Sequence, residues 1–171
     1  MSIRPFPFLR FALVITGIAF YAEALSHSAL LYRITAHSWN GSNTFIRMQT
    51  YTGAQMLHNS VVGPFVLNFA GLANPLLWFS WLLLLSGRID YAFLSSRAAA
   101  VLSLQTFQNL LFPIPLDEGG VQHAKLVHPL LGYYLWAASI LITLAACWYW
   151  HPYPREARSV GSSINSAIWL E

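Results

Sequence analysis

Hydrophobic positions run almost unbroken through four stretches of the chain. Met48 to Gly87, Ala98 to Leu116 and Leu126 to Pro154 contain no Asp, Glu, Lys or Arg, and Phe11 to Tyr32 contains only Glu23. A hydrocarbon core about 30 Å thick is crossed by about 20 apolar residues in a helix. The pattern therefore predicts an all-α integral membrane protein. It would be a four-transmembrane-helix bundle with spans near 9–31, 61–85, 91–112 and 126–150. Residues 1–154 form the membrane domain in this reading, and residues 155–171 a short cytoplasmic tail. A long outer first loop, about Tyr32–Ser60, joins the first two spans, with Ser42 or Asn43 as the cap of a helix inside it.

Lys and Arg favour the cytoplasmic side of short loops. Arg4, Arg10, Arg88, Arg97, Arg155 and Arg158 fall on one side of the four spans; Arg33, Arg47 and Lys125 fall on the other. Six against three places both termini in the cytoplasm, as for a multi-pass protein of a bacterial inner (plasma) membrane. Trp78, Trp81 and Trp148-Tyr149-Trp150 then belong at the inner interface. A rival reading takes Arg4, Arg10 and Ala22-Glu23-Ala24 as a signal peptide with its cleavage site, which leaves three spans.

Small and polar side chains recur at helical spacing: Ala12, Thr16, Ala19, Glu23 and His27 in the first stretch, and His128, Gly132, Ser139, Thr143 and Ala146 in the last. Such stripes are where membrane helices pack. Polar groups also collect toward the outer ends of the spans. Glu23, His27, His58, Asn68, Gln108, Asn109 and His128 are the expected lining of an outward-facing polar pocket. Glu23 and His27, four apart on one helix face, form a candidate proton-handling pair.

Composition narrows the chemistry. Charged residues make up 9% of the 171 residues, far below the roughly 25% of soluble domains. The formal charge of +3 is not gathered into a basic run, so nucleic acid is not an expected partner. Cys147 is the single cysteine, which excludes an intramolecular disulfide. His27, His58, His123 and His128 have the donor chemistry of a metal site, and His27 with His128 could serve as axial ligands to haem, although no recognised ligand spacing is present. Glu23, His27, Asp117 and Glu118 are the candidate acid–base residues of an enzyme, with Asp117-Glu118-Gly119-Gly120 also readable as a plain turn. Asn40-Gly41-Ser42 is an N-glycosylation sequon.

These features favour a small membrane binding or accessory protein. It would present the outer pocket and the first loop, with Arg33, Trp39, Arg47 and Tyr51, to a membrane or periplasmic protein, a lipid headgroup or a small ligand. Two alternatives stand beside it: a membrane enzyme or a metal- or haem-binding protein using the outer cluster, and an oligomeric channel or carrier subunit with Asn68, Gln105 and Gln108 along its pore.

Overall fold

The computed structural model describes residues 7–37, 42–61, 63–116 and 121–150. The chain folds as a mixed α/β structure, not as an all-α bundle. In chain order it forms α1 (Pro7–Ser26), β1 (Ser28–His37), β2 (Asn43–Thr52), α2 (Gly53–Asn59), α3 (Ala73–Leu85), α4 (Ile89–Ser103), α5 (Gln108–Leu111), β3 (Ile114–Pro115), β4 (Gln122–Pro129) and α6 (Leu131–Trp150). Short 310 turns cover Gly63–Val66, Ala70–Leu72 and Leu104–Phe107. The strands make one antiparallel sheet in the order β2-β1-β4-β3.

The correction to the all-α expectation begins at Ser26. Its hydroxyl donates to the Glu23 carbonyl at 2.9 Å, α1 stops, and Ser28 onward alternates. Leu30, Tyr32 and Ile34 point inward while Arg33 lies exposed, the period of two that a half-buried strand requires. In β4, Ala124 and Leu126 are buried and Lys125 is exposed, so residues from 126 that continue the apolar run of α6 belong to the sheet. The first loop forms strand β2 rather than a helix capped at Ser42 or Asn43. The capped helix is α2, and Thr52 is its cap. The Gln55 N–H donates to Thr52 Oγ1, and the Thr52 N–H donates to Gln55 Oε1.

Only α1 (over Phe8–Ser26) and α6 (Leu131–Trp150) are long and apolar enough to cross a membrane among the described residues. The 13 residues of α3 rise about 20 Å, short of a bilayer core. Arg97 lies midway along the 15-residue α4, exposed and stacked on Phe93, rather than at the flank of a span. Pro75 falls in the first turn of α3, where its missing N–H leaves no helical bond unmade.

Helices α1, α3, α4 and α6 pack together as one layer, and the sheet closes the end where α1 stops and α6 starts. The interior of that layer mixes apolar side chains, among them Val14, Leu77, Leu84 and Ile140, with hydroxylated ones. Ser80, Ser96, Ser139 and Thr143 are buried, while Phe11, Ile15, Leu82, Leu94, Val101 and Leu141 face outward. Ser139 Oγ donates to the Gly17 carbonyl at 2.8 Å, and Trp81 Nε1 donates to Thr143 Oγ1 at 2.8 Å. A Cβ on Gly17 would stand 3.2 Å from Thr143 Oγ1, so glycine lets α1 approach α6 closely. Trp81 is thus a core residue, not an interfacial anchor. Gly132, Ser139, Thr143 and Ala146 form the buried stripe of α6, but α1 buries Val14, Gly17, Tyr21 and Ala24 and exposes Thr16, Ala19 and Glu23.

Candidate ligand cavity

Between the inner face of the sheet and the helix layer lies a cavity of about 390 Å3. Its walls come from the end of α1 (Ala24, Leu25), the inward residues of β1 and β4 (Leu30, Tyr32, Ala124), α2 (Met56) and the start of α6 (Tyr133, Trp136). Gly63, Asn68, Ala70 and Gly71 add to the wall, with Thr106, Asn109, Tyr51, Ser60 and the β3 residues Ile114 and Pro115. Close backbone approaches hold this frame. The Gly53 N–H donates to the His27 carbonyl at 3.0 Å, and a Cβ on Gly53 would overlap the Ala24 carbonyl. The Leu130 N–H donates to the Ala29 carbonyl at 2.7 Å, joining the end of β4 to β1 just before α6 begins.

The polar groups of the cavity form a chain of hydrogen bonds from α5 and the Gly63–Leu72 segment to the sheet. Asn68 Nδ2 donates to Asn109 Oδ1 at 2.8 Å, and Asn109 Nδ2 donates to the Tyr32 hydroxyl at 3.2 Å. The Ala70 N–H donates to Asn68 Oδ1 at 3.0 Å, and the Phe69 N–H donates to Gln105 Oε1 at 2.8 Å. Just before Asn68, Leu67 takes φ of +56°, a left-handed conformation that costs a side-chain-bearing residue of order 1 kcal/mol. The bond to Asn109 and the turn at Leu67 together fix where Asn68 points. Burial pushes the Tyr32 hydroxyl up to about 12, outweighing the bond from Asn109, so the phenol keeps its proton at any physiological pH.

Of the sequence candidates, Asn68 and Asn109 meet here. Gln108 is their half-buried neighbour but does not line the cavity; Gln105, expected to line a pore, instead holds the Phe69 backbone. The remaining candidates lie elsewhere. His27 Nδ1 sits 2.9 Å from the carbonyl of Glu23 and 3.8 Å from its carboxylate, and Glu23 is exposed. His58 is exposed on α2, and His128 is exposed on β4 with Nδ1 3.1 Å from the Pro129 carbonyl. His123 is half-buried on β4. Among the described residues, no three His, Cys, Asp or Glu side chains come together as a metal site would require. Asp117, Glu118, Trp39, the Asn40-Gly41 part of the sequon, Arg4, Arg155, Arg158 and the tail lie outside the described residues.

Sequence reasoning missed Tyr32, Met56, Thr106, Tyr133 and Trp136, all of which line the cavity. The signal for Tyr32 was present in the alternation Leu30-Leu31-Tyr32-Arg33-Ile34. No protein-family model matches the chain, and no curated protein or solved structure is significantly similar to it.

Proposed function

We propose that this chain is a small membrane-anchored binding protein whose cavity, beneath the sheet, receives an apolar small molecule. The observation that carries the reading is the lining. Among the described residues the walls hold no Asp, Glu, His, Lys, Arg or Cys, and the volume lies in the range of small-molecule sites. A mostly apolar wall with a few fixed amides and hydroxyls suits binding and orientation, and among the described residues it offers no carboxylate, imidazole, amine or thiol.

Anchoring is supported by the outer surface of the helix layer, where large apolar side chains such as Ile15, Leu82, Leu94, Val101 and Leu141 are exposed. In this reading α1 and α6 cross the bilayer, and α3 and α4 pack beside them. Arg10 donates to the Leu84 carbonyl at 3.4 Å and stacks over Trp150, so the start of α1 meets the ends of α3 and α6 away from the sheet. The positive-inside rule then assigns that end to the cytoplasm and the sheet to the outer side of a plasma membrane. The cavity opens beside the membrane surface, where an apolar molecule is concentrated.

Two experiments test the reading. Full-length chain in bilayers should take up decylbenzene to one equivalent, and Ala70→Trp, which fills the cavity from the Ala70–Leu72 turn, should abolish that uptake. Equal uptake by wild type and Ala70→Trp would contradict a cavity site. Alkaline extraction should leave the chain in the membrane; release into the supernatant would contradict anchoring.

A further inference from the structure

The cavity's hydrogen bonds run in one direction, and that direction specifies the ligand. A backbone N–H can only donate, so the Ala70 N–H fixes the oxygen of Asn68 toward itself. The Asn68 amide must then present its NH2 to Asn109, whose oxygen accepts. Asn109 in turn has only its NH2 left for Tyr32, so the Tyr32 oxygen is an acceptor. The Tyr32 proton is left over, on a residue 2% exposed whose ring lines the cavity, and it has no acceptor among the described residues. Asn68 and Asn109 each also retain a second amide hydrogen beyond the relay. The relay thus ends in unspent donor hydrogens, whereas each amide oxygen already accepts one hydrogen bond.

Resting on the apolar-cavity reading above, we propose that the ligand is an uncharged apolar molecule bearing a carbonyl oxygen, as in a ketone, a quinone or an ester, which accepts the Tyr32 O–H. An anion would lack a countercharge here, since no Lys, Arg or His lines the described wall. A pure hydrocarbon would leave the phenol proton buried without a partner.

The probes are decanophenone, labelled with carbon-13 at its carbonyl, and decylbenzene, its hydrocarbon counterpart. Each is titrated, as mole fraction in the micelle, against the full-length chain purified in detergent. Decanophenone should bind about three- to tenfold more tightly, the worth of one buried hydrogen bond. Its bound carbonyl stretch should fall below its frequency in hydrocarbon solvent. Tyr32→Phe should bring the two affinities together and remove the frequency change. Equal binding in the wild type with an unmoved carbonyl stretch would overturn the carbonyl assignment and leave the apolar cavity standing. A lowered stretch that persists in Tyr32→Phe would overturn the role of Tyr32. Binding of neither probe would overturn the cavity reading itself, and this inference with it.

Discussion

Replacing Asn109 by leucine tests whether the polar relay is buried, dry and structurally important. Leucine keeps the branching and heavy-atom count of asparagine and removes both of its bonds, to Asn68 at 2.8 Å and to Tyr32 at 3.2 Å. Each is worth about 1 kcal/mol net, and a donor left buried without a partner costs about 1–3 kcal/mol more. Asn68 keeps the bond from Ala70 but loses the acceptor of its NH2. Apolar burial by the new side chain offsets part of this, leaving a net loss of roughly 2–4 kcal/mol. For a chain of this size that is about 5–15 °C in melting temperature. Melting followed by circular dichroism in detergent reads it directly. The control is Gln108→Leu, next along the chain and half-buried outside the relay, which should stay within about 0.5 kcal/mol of wild type. A melting temperature for Asn109→Leu within 2 °C of the control, a threshold set by about 0.5 kcal/mol, would refute the relay as a dry structural element.

Gly53→Ala should destabilise more than any exposed substitution, by roughly 2–4 kcal/mol, because the added Cβ meets the Ala24 carbonyl and only backbone movement can relieve it; chemical denaturation would show the loss. Thr143→Val should cost about 1–3 kcal/mol by stranding the Trp81 N–H at the α1–α6 contact, and a neutral result in thermal melts would mean water reaches that site. Tyr32 gives a pH signature. Its folded value, about 12, lies above the ordinary 10, so its contribution is fully present below pH 10 and is lost as pH rises from 10 to 12. The gap amounts to about 3 kcal/mol, and it should vanish from the wild-type-minus-Tyr32→Phe difference in alkaline melts. Glu23→Gln should change stability by less than about 0.5 kcal/mol, since its contact with His27 is 3.8 Å long and solvent-exposed; a larger loss in thermal melts would show that the pair supports the fold.

Hydropathy made α1 and α6 legible because each is a single apolar run of helical length. It failed at their ends for a physical reason. A strand buried on one face beside a long apolar helix extends the apolar run without changing its composition, and only the period shifts from 3.6 to 2. Leu30-Leu31 and Leu126-Val127 were absorbed into spans in this way. The absence of charge between Met48 and Gly87 also merged the Gly63–Leu72 segment and α3 into one expected span near 61–85, elements that differ in conformation and not in polarity. The buried asparagines were legible as a contact. Asn68 and Asn109 stand among apolar neighbours, where an amide must find a partner, and they did find each other. Glu23, His58 and His128 lie exposed and His27 half-buried, outside the cavity wall, so the polar pocket expected from them is not one enclosed space.

The most direct test of the central claim is to extract the small molecules held by full-length chain purified from its own membranes and to quantify them by mass spectrometry. One uncharged apolar compound near one equivalent per chain, depleted in Ala70→Trp, is the predicted result. The same compounds at the same ratio in wild type and in Ala70→Trp would contradict a ligand cavity beneath the sheet.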